Sequence, residues 1–165
     1  MFPIGDYFQN LESQKKVARF LLETGLRVEE GNIYCNGVKM SFSRIAKKLD
    51  MDRRTVKATI DTIESNEELE LIFNNLKSTA FFDELAQNIS AGLIVIVPTD
   101  PHKVGILAGV SSIIANIDIS IRQCITEDPE FTEEPKLYII TESSVPMEAM
   151  EKIKKIQGVK SVTIY

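Results

Sequence analysis

Six cations, Arg44, Lys47, Lys48, Arg53, Arg54 and Lys57, fall inside the stretch Ser41–Ile63, where only Asp50, Asp52 and Asp61 oppose them. At this density the obvious chemistry is the binding of a polyanion. Lysine offers phosphate a point charge, and arginine adds a planar fork that can hydrogen-bond guanine through two N–H groups. Residues 1–64 hold 11 Lys+Arg against 9 Asp+Glu, a net of +2, and residues 65–165 hold 8 against 15, a net of −7. The whole chain stands at −5. A chain that repels polyanions overall yet concentrates cations on one segment points to a local nucleic-acid footprint.

Other chemistries have little material. His102 is the only histidine, and Cys35 and Cys124 lie far apart without a CxxC-type partner. Neither a metal cluster, a disulfide scaffold nor a nucleophile–base pair can be assembled, so no cofactor and no enzymatic activity is expected. Unpaired thiols fit a reducing cytoplasm. The start MFPIGDYFQN has no basic region followed by a cleavable apolar stretch, and no apolar run approaches the roughly 20 residues of a membrane span.

A second candidate site lies further on. Asp100-Pro101-His102-Lys103 precede an apolar stretch expected to be helical over Val104–Asn116. Wound at 100° per residue, Gly105, Gly109, Ser112 and Asn116 fall within an arc of about 60°. Small residues on one face either seat the helix on a sheet or let a ligand or twin helix approach closely. The candidate ligand residues are Asp100, Pro101, His102, Lys103, Val104, Gly105, Ile106, Leu107 and Gly109, with Asn116 and Asp118 beyond them.

These residues need elements to position them. A helix is expected from about Asp6 to Thr24, stopped by Gly25, and then a hairpin over Leu26–Met40 with its turn at Asn36-Gly37. Ser41 can cap a helix over Phe42–Leu49, and Asp52 another that begins at Arg53. On that second helix Arg53, Arg54, Lys57 and Asp61 share an arc of about 100°, and Val56, Ile60 and Ile63 lie about 110° away. Such a pair is either a helix-turn-helix, whose second helix enters the major groove while the first, with Arg44, Lys47 and Lys48, contacts backbone phosphates, or a helical hairpin that its basic residues merely solvate. The turn usually carries glycine; here Asp50 holds that place. Further helices are expected over Asn66–Leu76 and Ala80–Asn88.

At Ser90-Ala91-Gly92 the character changes. Leu93–Val97 is a continuous apolar run, as in a strand buried on both faces. Alternation places a strand at Ile117–Arg122. An acidic loop, residues 127–135, precedes a strand at Lys136–Thr141, then a helix from Ser144 to Gly158 and a strand at Val159–Tyr165. Phe131 in that loop either anchors an interface or packs on its own loop. The order β-α-β-β-α-β is the ferredoxin-like split βαβ, with its two most apolar strands at the central positions. The fold class is therefore α+β: a helix-turn-helix domain with connecting helices over residues 1–90 and a ferredoxin-like domain over residues 91–165.

The C-terminal segment resembles an ACT domain, a βαββαβ module that commonly binds amino acids at subunit interfaces. The resemblance rests on LIVIVP, TDPHKVGILAGVSSIIA, IDISIRQ and GVKSVTIY. Where that loop usually reads aspartate, then Pro-Gly and leucine, this chain inserts His102-Lys103-Val104 between Asp100-Pro101 and Gly105-Ile106-Leu107. Joined to IAKKLDMDRRTVKATI, the chain resembles archaeal regulators of amino-acid metabolism that combine the two domains. The resemblance implies a cytoplasmic regulator of transcription that responds to an amino acid and binds duplex DNA as a homo-oligomer, at least a dimer. The alternative is an ACT-type regulatory subunit that controls a biosynthetic enzyme by protein contacts without DNA. Feast/famine-type regulators share the logic, but the hairpin at Leu26–Met40 and the helical segment Ser65–Ile89 depart from that layout.

Overall fold

The computed structural model describes residues 4–89, 91–129, 132 and 134–165. Ser90 of the expected junction, and Glu130, Phe131 and Glu133 of the acidic loop, lie outside the described residues, so neither role considered for Phe131 is resolved. The chain divides into two compact units, residues 1–80 and 81–165.

The first unit opens with α1 (Ile4–Tyr7) and α2 (Glu12–Glu23). The single helix expected here is broken because Asn10 takes a left-handed φ of 62° and Leu11 caps α2 in a non-helical conformation. Asparagine adopts that region at little cost, and apolar spacing does not register the break because Phe8 is itself fully buried. The expected hairpin is a three-stranded antiparallel meander, β1 (Arg27–Glu29), β2 (Asn32–Cys35) and β3 (Val38–Met40), with its second turn at Asn36-Gly37. It leads into α3 (Phe42–Lys48), α4 (Arg53–Glu64) and α5 (Glu67–Asn74). Ser41 occupies the cap position of α3 but makes no side-chain cap bond. Asn66 does cap α5, accepting from the Glu68 and Leu69 N–H groups. Val17, Ala18 and Leu21 of α2 are fully buried, as are Val56, Ile60 and Ile63 of α4, and α2 and α3 both pack on α4.

The second unit begins with α6 (Asp83–Asn88), followed by β4 (Gly92–Pro98), α7 (Ile106–Ala115), β5 (Ile121–Thr126), β6 (Leu137–Thr141), α8 (Met147–Lys154) and β7 (Val159–Ile164). The sheet order β5-β6-β4-β7, all antiparallel, is the ferredoxin-like arrangement with β4 and β6 central. Ile94 and Ile96 of β4, with Leu137 and Ile139 of β6, face Ile106, Val110 and Ile114 of α7 and Ala149 and Ile153 of α8. Leu93 and Ile140 point the other way and are covered by Phe82 and Ala86 of the α6 segment. That second cover explains the unbroken apolar run of β4. It also places the division between units at Ala80/Phe81, ahead of the junction expected at residues 90–91, because α6 packs on this sheet.

Two further boundaries differ from expectation. The helix begins at Ile106, because Gly105 takes a φ of 92° and caps it instead of continuing it. The strand begins at Ile121, because Asp118 at φ 57° turns the chain after α7, and the isoleucine alternation runs through that turn.

Candidate functional site

The cations of the first unit are positioned by α3, a four-residue turn and α4. Asp50 takes φ 52°, the left-handed conformation glycine would normally supply, and the Met51 N–H returns to the Ala46 carbonyl at 2.9 Å. The Asp52 carboxylate then accepts the Arg54 backbone N–H at 2.7 Å and starts α4. Ile45 and Ala46 are buried, and so is Thr59, whose hydroxyl donates to the Thr55 carbonyl at 2.8 Å. The apolar arc of α4 is thereby turned inward. Arg44, Lys47, Lys48, Arg53, Arg54 and Lys57 are all exposed. Among the described residues, the first five make no ion pair, and Lys57 pairs with Asp61 one turn further along.

Two of these cations are placed against their own helix. The N-terminus of an α-helix carries partial positive charge, and a cation there works against the macrodipole by about 0.3–1 kcal/mol. Arg53 and Arg54 occupy the first turn of α4, which has no acidic residue. Only Asp52 offsets them. The result is a concentrated positive tip, suited to an anion and not accounted for by helix stability.

The second candidate site disperses in part. Asp100 Oδ1 accepts the His102 backbone N–H at 2.9 Å and the Thr99 N–H donates to the Gly158 carbonyl at 2.8 Å, so the Asp100 carboxylate folds back on its own loop and the loop is tied to the turn before the last strand. His102 is exposed, and Val104 is 88% exposed. The small-residue stripe has local explanations. Gly105 serves a backbone conformation that side chains resist. A Cβ on Gly109 would stand 3.2 Å from Ile156 Cδ1, so this glycine seats α7 against the segment after α8. Asn116 caps the far end of the ten-residue helix, and Asp118 lies in the turn beyond it, on the order of 15 Å from the loop.

What the fold does gather is a cleft of about 120 Å³. Pro101, Lys103, Ile106 and Leu107 line it from the expected set, together with Glu127 and Lys136 from the β5–β6 connection and Leu137 at the start of β6. Asp100, His102, Val104, Gly105, Gly109, Asn116 and Asp118 are not among its lining residues. Glu127 accepts two hydrogen bonds, from the Lys136 N–H to Oε2 at 3.0 Å and from the Tyr138 hydroxyl to Oε1 at 3.1 Å. Burial, and next the Glu127 charge, push the Tyr138 phenol up to about 12. The cleft thus offers an apolar floor, a carboxylate and two lysines. Its only sequence signal was an acidic run in which Glu127 resembled its neighbours. Among the described residues, no group of three or more His, Cys, Asp and Glu side chains could hold a metal ion, and no helix is long and apolar enough to cross a membrane.

Neither a protein-family model nor a curated protein matches the chain. Solved structures give distant likenesses. One is the ACT domain of the GTP pyrophosphokinase of Chlorobium tepidum, 19% identical over 46% of this chain and 95% of that one, with a TM-score of 0.34. Another is an AsnC family transcriptional regulator from Agrobacterium tumefaciens, 13% identical over 93% and 86% of the two chains, at 0.29. A third is a transcriptional regulatory protein of the AsnC family from Pyrococcus furiosus, 14% identical over 92% and 85%, at 0.28. At such scores the likenesses assign neither family nor function.

Proposed function

We propose that this protein is a DNA-binding transcriptional regulator, not an enzyme, whose C-terminal unit binds an amino acid and whose N-terminal unit reads duplex DNA through α4. The observation that carries the DNA half is the placement of Arg53 and Arg54 at the N-terminal tip of α4, exposed, without ion pairs among the described residues and opposed to the helix dipole. A helix-turn-helix reads base edges from that end of its second helix. Arg44, Lys47 and Lys48 supply phosphate contacts. The cleft at Lys103, Ile106, Leu107, Glu127 and Lys136 suits a small zwitterion, with lysines for a carboxylate, Glu127 for an ammonium and an apolar floor for a side chain. The protein acts in the cytoplasm as a homo-oligomer, at least a dimer, presenting two α4 tips to half-sites spaced by turns of the duplex.

Two measurements on the full chain test this. Affinity for mixed-sequence duplex should fall with salt, with a log–log slope of about −0.9 per phosphate neutralised. No duplex binding at low salt would remove the DNA half and leave a regulatory subunit acting through protein contacts. A thermal-shift screen against the proteinogenic amino acids tests the other half. A true effector adds about 2.7 kcal/mol of stability at a hundredfold excess over Kd.

A further inference from the structure

Glu127 follows directly on the last residue of β5, where the two faces of the sheet meet, and its carboxylate serves both. Towards α7 it lines the cleft with Lys103, Ile106, Leu107 and Lys136. Away from α7, its Oε1 accepts the Tyr138 hydroxyl at 3.1 Å. Tyr138 belongs to the opposite face of the sheet, packed with Leu93 and Ile140. Its ring meets Phe81 edge-on, with centroids 5.0 Å apart and planes at 86°. Phe81 is the residue at which the chain enters the second unit. The next residue, Phe82, donates its backbone N–H to Gln123 Oε1 at 3.0 Å and opens α6. An unbroken set of contacts therefore runs from the cleft wall, around the end of the sheet, to the start of α6.

A path of contacts conducts only if its end element has two arrangements to choose between. The element at the end of this path is α6. It has six residues and no side-chain cap bond, well below the ~12–15 residues at which an isolated helix becomes even marginal. Packing and the Phe82–Gln123 hydrogen bond hold it. Phe82 and Ala86 sit on Leu93 and Ile140, while Leu85 and Ile89 remain 47% and 43% exposed. Small changes at its anchor move it at little cost.

We infer that Glu127 and Tyr138 form a relay that reports occupancy of the cleft to α6. The inference rests on the ligand-binding half of the function proposed above. A ligand ammonium at the cleft draws the Glu127 carboxylate towards itself. The charge-assisted bond from Tyr138 then lengthens, the ring follows, and the edge contact with Phe81 shifts. The relay acts on the helix that opens the second unit. Tyr138 is a donor at ordinary pH, where any phenol is protonated, and burial raises this one further.

Amide hydrogen exchange on the full chain tests this, with wild type, Tyr138→Phe and Glu127→Ala, each alone and with each proteinogenic amino acid. Tyr138→Phe keeps the ring against Phe81 and removes only the bond to Glu127. In wild type, the amino acid that slows exchange at residues 101–107 should also change exchange at residues 81–89. In Tyr138→Phe it should protect 101–107 alone. Protection of the cleft with no change at 81–89 in wild type, or the same response in Tyr138→Phe, overturns the relay and leaves the ligand site standing. If no amino acid protects the cleft, the ligand reading fails, and the free proteins decide the relay. Loss of the bond in Glu127→Ala, or in Tyr138→Phe should the alanine variant not fold, is then expected to raise exchange at 81–89 on the order of tenfold. Unchanged exchange there overturns it.

Discussion

Lys57 holds its ammonium against the Asp61 carboxylate one turn along α4, with both side chains more than half exposed. The pair sits on the arc that also carries Arg53 and Arg54, and it makes the three cations unequal. An exposed i,i+4 pair contributes about 0.3–0.5 kcal/mol, which a phosphate contact by Lys57 would have to replace. Asp61→Asn should therefore raise duplex affinity about twofold at low salt and leave folding nearly unchanged. Lys57→Ala should flatten the salt slope by less than one phosphate contact. Arg54→Ala should cost about 1–3 kcal/mol and relax preference between operator sequences. Titrations at two salt concentrations separate these outcomes.

The Asp52 cap gives a second, independent test at the same tip. Its carboxylate satisfies the Arg54 N–H, so Asp52→Ala should lower stability by about 1 kcal/mol in denaturant unfolding. Asp52→Asn keeps a capping oxygen while removing the charge. It should stay within about 0.5 kcal/mol of wild type, since asparagine caps about as well as aspartate. Because it also removes a negative charge beside Arg53 and Arg54, its duplex affinity should rise. Equal loss of stability in both variants would show that the charge, and not the capping geometry, stabilises this end.

The helix-turn-helix was legible because each of its devices is local. Asp52 caps two residues ahead, Asp50 turns in place, and Val56, Ile60 and Ile63 repeat at helical spacing. The split βαβ was legible because β4 and β6 carry the apolar runs that central strands need. What escaped depends on residues far apart in the chain. Ile156 explains Gly109, and Glu127 and Lys136 reach the cleft only once β5 and β6 pair. The small stripe at Gly105, Gly109, Ser112 and Asn116 has explanations within the chain that the spacing could not show. Its members serve a left-handed cap, a side-chain contact, a hydroxyl returned to the Ala108 carbonyl at 2.8 Å and a helix end. Helical spacing places residues on one face but cannot say what lies against it.

The glycine that caps α7 and the glycine within it consequently predict different outcomes for the same substitution. Gly105 has open space around a would-be Cβ but a φ of 92°. Gly105→Ala should lower stability by about 1–2 kcal/mol through backbone strain alone. Gly109 is helical, and its added Cβ would meet the flexible end of Ile156 at 3.2 Å. The gain in helix propensity, about 1 kcal/mol, should offset that displacement, leaving Gly109→Ala near neutral. Gly109→Leu, too large for Ile156 to yield to, should destabilise. Thermal unfolding of the three variants distinguishes them, and a Gly105→Ala variant as stable as wild type would remove the strain argument.

Tyr138 provides a spectroscopic handle on the far side of the cleft. Its phenol is pushed from the ordinary 10.0 up to about 12, first by burial and next by the Glu127 charge. Folding therefore favours the neutral form. The stability this contributes is fully present below about pH 10, where the unfolded phenol is also protonated, and is lost as pH rises towards 12. Phenolate absorbance should show one tyrosine titrating near pH 12 in the folded protein, and Tyr138→Phe should delete that component. Glu127→Gln removes the carboxylate charge and leaves the burial, so the same tyrosine should titrate earlier, though still above 10. If Glu127→Gln leaves the titration unmoved, the carboxylate does not act on the phenol in solution. The bond between them would then be too weak to link the cleft to the opposite face of the sheet.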